Sequence, residues 1–326
     1  MKIRKPFVLF ALLTSFFCSC ASKKEFALVL LPDTQIYSEK YPDIFKSQTK
    51  WVADHAKQIT FVLHQGDITN NNSESQWKVA TEAINLMDGK VPYTLALGNH
   101  DNGTNGRSDV RNTELFNRFF PYSKLCKLST FGDAFEAGKM DNTWHKFKGG
   151  GYNWLIFSLE FGPRNSVLDW AAKVIAEHPK HKVIINTHAY LYSDDLRMGE
   201  VSTHKWLPKI YGIGKTGDTT AVNNGKQMWE KLVGKFPNIL FVFSGHIIGD
   251  GTGFLVSEGE HGNKVYQMLA NYQQGVIGSE NGGNGYLRLI TINTKMQTIS
   301  VKSYSPYINK YKTEPDQQFL IENVKF

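Results

Sequence analysis

The sequence predicts an α/β fold, and three observations carry that expectation. Short apolar, β-branched or aromatic runs recur at FALVLL (26–31), ITFVLH (59–64), VPYTLAL (91–97), NWLIFSLEF (153–161), KVIINT (182–187) and ILFVFS (239–244). Such continuous apolarity belongs to strands buried on both faces; a half-exposed strand would alternate. Segments of helical length lie between the runs, at 44–58, 73–87, 110–120, 166–177 and 225–235. Polar, potentially ligating residues collect just after the runs instead of inside them. With 326 residues, 41% hydrophobic and 21% charged, the chain is long and apolar enough to bury a large core and does not have a disordered composition.

The elements have local grounds. Ser73 followed by Gln76 has the spacing of a capping box. Ala80, Ala83 and Leu86 continue the same segment as an amphipathic helix. From about residue 265 the helical spacers stop. VYQMLANY (265–272), YLRLITIN (286–293) and TISVKSYSP (298–306) read as antiparallel strands added to the main sheets. Met296-Gln297 marks a hairpin turn between the last two, and a Gly-rich loop at 275–285 separates the first two. Residues 203–224, with glycines and few apolar positions, read as a long surface loop. No repeat of fixed period is visible.

The first residues, MKIRKPFVLFALLTSFFCSC, combine basic Lys2, Arg4 and Lys5 with an apolar run from Phe7 to Phe17. That pattern predicts a signal peptide over 1–19 and export to the periplasm or cell envelope. The Ser-Cys-Ala junction resembles a bacterial lipoprotein signal. This implies a lipid on Cys20, a membrane anchor, a short tether at 20–25 and a single domain over 26–326. An ordinary signal peptide with an incidental cysteine is the alternative. Of Cys18, Cys20 and Cys126, only Cys126 would remain as a thiol, so neither a disulfide nor a thiolate zinc site is expected. The formal charge of +7 includes the three leader cations, and the other basic residues are dispersed. Specific nucleic-acid binding is therefore not expected.

Five of the apolar runs end in polar groups: Pro32-Asp33-Thr34-Gln35, Gln65-Gly66-Asp67, Gly98-Asn99-His100-Asp101, Thr187-His188-Ala189-Tyr190 and Gly245-His246. In open α/β sheets, ligands bind beyond the carboxyl ends of the strands. Taken singly, each residue has an ordinary structural role, the Asp as a helix cap and the His as a buried hydrogen-bonding group. Taken together they offer carboxylates, amide oxygens and imidazoles without sulfur, a set that suits hard to borderline divalent metals.

At these residues the chain resembles the calcineurin-like metallophosphoesterase superfamily, whose pattern is D-x-H, G-D, G-N-H-[DE], a lone H and G-H-x-H in this order. The resemblance implies a four-layer α/β/β/α sandwich of two mixed sheets. It also implies a phosphatase or phosphodiesterase, with metal-dependent hydrolysis of a mono- or diester by a hydroxide bridging two divalent ions (Mn, Fe, Zn, Mg or Ca). In that scheme Asp67 bridges both metals, Asn99, His188 and His246 hold the second, and Asp33 and Gln35 hold the first. His100 faces the scissile phosphate as proton donor or charge stabiliser, and Asp101 orients its ring. Two positions depart from the pattern: Gln35 stands where a His is usual, and Ile248 replaces the final His. The first metal is therefore expected to be held weakly and the second to survive purification. Asp250 is either a substitute carboxylate or a turn residue.

Several other residues have open readings. Arg107 and Arg111 are phosphate partners or solvated side chains, and Asn70, Asn71 and Asn72 are phosphate contacts or a polar loop. Asn271, Tyr272 and Gln273 line the pocket or end a strand. Tyr190, Tyr192 and Trp206 form a substrate wall or belong to core and surface. His64 is a supporting or structural residue behind the site, or a catalytic one. Gly282-Gly283-Asn284-Gly285 is not a P-loop, because no Lys-Ser/Thr follows. A catalytically weak phosphate- or glycan-binding lipoprotein on the same fold is the alternative function; the presence of Asp67, Asn99, His100, His188 and His246 favours the enzyme.

Overall fold

A computed structural model describes residues 24–215 and 221–326. The expected leader and Cys20 lie outside the described residues. In chain order the elements are β1 (Glu25–Leu31), α1 (Gln35–Lys40), α2 (Pro42–Asp54), β2 (Ile59–His64), α3 (Glu74–Ile84), β3 (Tyr93–Leu95), α4 (Glu114–Phe119) and α5 (Tyr122–Leu125). There follow β4 (Phe131–Ala134), β5 (Thr143–Gly149), β6 (Tyr152–Ser158), α6 (Asn165–Glu177), β7 (Lys182–Asn186), α7 (Gly225–Lys231) and β8 (Ile239–Ser244). The last strands are β9 (Thr252–Glu258), β10 (Lys264–Ala270), β11 (Leu287–Asn293), β12 (Thr298–Ser305), β13 (Lys310–Lys312) and β14 (Gln318–Ile321).

The strands form two mixed sheets. One has the order β13-β12-β11-β1-β2-β3, with β14 also paired to β12; the other runs β4-β5-β6-β7-β8-β10-β9. The first is parallel at one end, through β1-β2-β3, and antiparallel from β1 to β13; the second is parallel at its centre, through β6-β7-β8-β10, and antiparallel at both ends. Side-chain alternation explains the continuous apolar runs. On β1, Leu28 and Leu30 enter a core between the two sheets with Phe61, Trp154, Phe241 and Phe243. Val29 and Leu31 point the other way, into a core with Phe45, Val52, Trp77 and Ala80 from α2 and α3. On β6, Ile156 faces the intersheet core, while Leu155 and Phe157 pack with Leu168, Ala171 and Ile175 of α6. Both faces of each sheet centre are thus dry, and the layers stack α/β/β/α.

Several local expectations change. Ser73 does sit at the N-cap of α3, but its hydroxyl does not cap the helix. Gln76 instead turns its Oε1 to the Asn70 and Asn71 amides, each at 2.8 Å, and fixes the preceding loop. β10 is not purely antiparallel. The unexpected strand β9 returns at the sheet edge, so β10 re-enters between β8 and β9, parallel to β8. β4, β5 and β9 carry weak sequence signals because they lie at or near edges and expose polar positions. Segment 203–224 is not a surface loop throughout: His204, Pro208, Ile213, Val222 and Asn223 are buried, with short 3₁₀ turns at Pro208–Ile210 and Gly212–Lys215. Among the described residues, no helix is long and apolar enough to cross a membrane.

The intersheet core should carry much of the stability. Leu30, fully buried there, should cost about 2–5 kcal/mol as Leu30→Ala in urea unfolding. Leu320→Ala, at a position 57% exposed, should stay within about 0.5 kcal/mol of the parent.

Candidate metal centre

The carboxyl ends of β1, β2, β3, β7 and β8 deliver Asp33, Asp67, Asn99, His188 and His246 to one place. The backbone is bent hard to do so. Asp33 (φ +32°), Asp67 (φ +49°) and His246 (φ +73°) all lie in the left-handed region, which costs a non-Gly residue on the order of 1–3 kcal/mol. Space is equally constrained. A Cβ at Gly98 would collide with the Asp67 carboxylate and main chain, and a Cβ at Gly245 with the Asp33 carboxylate. These glycines are needed for close approach of a side chain; the φ of Gly98 is an ordinary −94°.

Four ligand atoms meet around His188. Its Nε2 is 3.2 Å from Asn99 Oδ1, 3.2 Å from Asp67 Oδ2 and 3.1 Å from His246 Nδ1. His188 Nδ1 lies 2.8 Å from the Gln65 carbonyl, and His246 Nε2 lies 2.9 Å from the Trp206 carbonyl. A carbonyl can only accept, so these two nitrogens carry the protons. In the neutral rings His188 Nε2 and His246 Nδ1 are then lone pairs, facing each other and two oxygens. All four residues are buried. Without a cation the cluster must recruit a proton. Burial opposes a charged His188, yet Asp67 and Asp33 outweigh it and raise its pKa to about 9. Burial together with neighbouring His188 pushes His246 down to about 3. Burial also works against the Asp67 carboxylate, but His188 and His100 hold it below the usual range. A divalent cation satisfies all four lone pairs at once, and the imidazole–carboxylate–amide set fits one. The carbonyl bonds behind the two rings are the supports that metal-ligating histidines use.

The other half of the site has a different character. Asp33 Oδ2 accepts from Asn271 Nδ2 at 2.8 Å, Gln273 Nε2 at 2.9 Å and the His246 amide at 3.1 Å. Gln35 donates through Nε2 to Asp67 Oδ2 at 3.2 Å and also to Gln273 Oε1. Gln35 Oε1 is buried without a partner. Asp250 is the turn residue of the two readings: its Oδ1 accepts the Thr252 amide at 3.1 Å.

His100, half-buried at the cleft, donates its main-chain N–H to Asp67 Oδ1 at 2.9 Å. Its Nδ1 lies 2.8 Å from the Asn70 carbonyl, which leaves Nε2 free. This corrects the role expected of Asp101. Asp101 instead accepts from the main-chain N–H groups of Ile68 at 3.0 Å, Thr69 at 2.8 Å and Gly98 at 2.9 Å, and from the Thr69 hydroxyl at 3.0 Å. It ties the loop after β2 to the loop after β3, while the Asn70 carbonyl sets the ring. Burial first, and Asp67 second, raise the Asp101 carboxyl to about 6.

The remaining candidates separate cleanly. His64 accepts the Gly66 amide on Nδ1 at 3.2 Å and bonds Thr34 through Nε2 at 2.9 Å, a support behind the ligands. Arg111 is spent on Glu160 and on the carbonyls of Phe161 and Gly162, and Arg107 is exposed. Asn71 bonds Glu39, and Asn72 bonds Gly103 and Trp77. Tyr190 is buried and bonds Gln267, and Tyr192 stacks on His204. Of that trio only Trp206 borders the site. Tyr211 and Phe161 were not singled out by sequence. Tyr211 lines the cleft with Trp206, Ile248, Gln273 and His100, around a volume of about 210 Å³. Burial, then Asp67, push its phenol pKa up. Phe161 stands beside both rings, at 5.8 Å from His188 and 5.4 Å from His246. The only local signal for Tyr211 was an aromatic in a polar, glycine-containing stretch.

Comparison with known proteins agrees with this geometry. The chain is 28% identical over 308 residues to YvnB of Bacillus subtilis, covering 90% of this chain and 21% of that protein. It is 24% identical over 186 residues to GpdQ of Arcobacter nitrofigilis, named a probable glycerophosphodiester phosphodiesterase, covering 57% of this chain and 55% of that one. The chain thus spans about a fifth and about half of these relatives. The purple acid phosphatase PPD1 of yellow lupin shares the fold, with a TM-score of 0.54 at 13% identity over 91% of this chain and 54% of that chain. The family model for calcineurin-like phosphoesterases matches residues 28–250, a span that contains Asp33, Asp67, Asn99, His188 and His246, and the chain belongs to that family.

Proposed function

We propose that the protein hydrolyses a phosphoester with a divalent metal. The observation that carries this reading is the set of four converging lone pairs on Asp67, Asn99, His188 and His246, with the free His100 Nε2 at the adjoining cleft. A divalent ion bound there supplies positive charge to the phosphate oxygens and a more acidic water. The chain's own residues do the rest. Asn99 contributes a neutral oxygen and adds no charge that would repel phosphate. Asn70 holds the His100 ring so that Nε2 of the protonated imidazolium can give its proton to the departing oxygen, leaving a neutral ring with the remaining proton on Nδ1. Phe161, Trp206 and Tyr211 keep one side of the site apolar or aromatic and limit water.

Within this reading we favour a diester over a monoester. Among the described residues lining the cleft there is no Lys or Arg, and Arg111 is neutralised by Glu160. A singly charged diester needs less compensating charge than a monoester dianion. The name of the Arcobacter relative agrees with this preference. Export and lipid attachment at Cys20 are proposed on the sequence pattern of the first residues.

A panel of mono- and diesters assayed with Mn, Mg, Ca and Zn should show metal-dependent turnover with diesters ahead. His100→Ala should lose about 10²- to 10⁴-fold in kcat, and Asp67→Ala orders of magnitude. No turnover with any metal would favour the binding-protein alternative, and activity surviving Asp67→Ala would defeat the site assignment. Stripping metal with a chelator should lower Tm, and returning it at about 100 times Kd should restore about 2.7 kcal/mol of stability; an unchanged melting curve would contradict the centre. Cys20→Ser should move the protein from the membrane to the soluble fraction, and continued membrane association would reject lipidation.

A further inference from the structure

We propose that an amide clamp formed by Gln35, Gln273 and Asn271 takes the place of the first metal, so that this centre holds a single divalent ion, at Asp67, Asn99, His188 and His246. The inference rests on the metal reading above and changes its stoichiometry. The two halves of the site differ in where their protons are. Around His188 Nε2, lone pairs face lone pairs. Around Asp33, N–H groups face the carboxylate: Asn271 Nδ2, Gln273 Nε2 and the His246 amide all point at Oδ2. A cation approaching that oxygen would meet the positive ends of these dipoles, and would have to break the hydrogen bonds they make.

Hydrogen-bond logic fixes the amide orientations. Gln35 donates to Asp67 Oδ2 and to Gln273 Oε1, and Gln273 in turn donates to Asp33 Oδ2. Reversing Gln35 would set its oxygen against both the Asp67 carboxylate and Gln273 Oε1. Reversing Gln273 would set its oxygen against the Asp33 carboxylate. Only the observed arrangement pairs every contact, and it links the two carboxylates through neutral amides. Ile248, at the cleft, carries no lone pair, and Asp250 is held in its own turn. The first position therefore keeps Gln35 Oε1, which has no partner, and Asp33 Oδ1, which takes only the longer share of the His246 amide at 3.3 Å, short of the several ligands a hard divalent ion requires.

The test is metal stoichiometry. Chelator-stripped wild-type protein is dialysed to equilibrium against graded Mn²⁺ or Zn²⁺, the bound metal is measured by mass spectrometry, and the Mn-loaded form is examined by EPR. One ion per chain is expected, with any second ion bound at least about 100-fold more weakly, and an EPR signal of isolated Mn²⁺. Two ions of similar affinity with a spin-coupled signal would overturn the clamp and leave the metal reading intact. No bound ion would overturn both. The triple variant Gln35→His/Ile248→His/Gln273→Ala restores two imidazoles and removes one clamp donor, and should gain a second ion. If that variant is folded by circular dichroism and still binds one, the clamp is not what excludes the second ion.

Discussion

The site depends on side chains being brought closer to foreign backbone than a Cβ allows. Asp67 lies against Gly98 and Asp33 against Gly245, so that each carboxylate occupies the space a larger residue would fill. The approach presses β2 onto β3 and β1 onto β8, which belong to different sheets in the second case. It is sustained by the dry core between the sheets and by the backbone bends at Asp33, Asp67 and His246. Strain of this kind persists only where surrounding packing over-determines it. Here three apolar layers do so, and the same layers exclude water from His188 and its neighbours.

The division of labour among polar groups follows from that enclosure. Buried lone pairs that face one another are costly without a cation, whereas N–H donors around a buried carboxylate offset part of the cost of burying it. Asp101 belongs to the second kind, with four donors holding two loops in register. Asp33 does as well, through Asn271, Gln273 and His246. Asp67 belongs to both: Oδ1 takes the His100 amide, while Oδ2 meets Gln35 and the lone pair of His188. The centre is thus polarised from a neutral, hydrogen-bonded side to a ligating side, and His100 stands at the boundary next to the cleft.

Much of the architecture was legible because a doubly buried strand leaves a continuous apolar run, and β1, β2, β6, β7 and β8 all have one. Strands at or next to a sheet edge, such as β5 and β9, leave no such mark, since half their side chains meet water or loops. The ligand candidates were legible for a related reason: the turns after these strands need glycine and concentrate polar residues. What the sequence did not disclose was pairing between distant segments. Nothing local shows that Gln273 would reach back to Asp33 and Gln35, or that the Trp206 carbonyl would hold His246. Asp101 is instructive in the opposite sense. The family resemblance implied a contact with the His100 ring, but the 3₁₀ turn at Asn99–Asp101 turns Asp101 toward main-chain amides instead.

The central claim is that Asp67, Asn99, His188 and His246 surround a cation and are not merely a hydrogen-bonded cluster. Anomalous diffraction from crystals grown with Mn²⁺ or Zn²⁺, recorded on both sides of the metal absorption edge, measures this directly. The account predicts an anomalous peak within bonding distance of His188 Nε2, His246 Nδ1, Asn99 Oδ1 and Asp67 Oδ2. Crystals with no peak there, and with His188 Nε2 still in hydrogen-bond contact with Asp67, would contradict it.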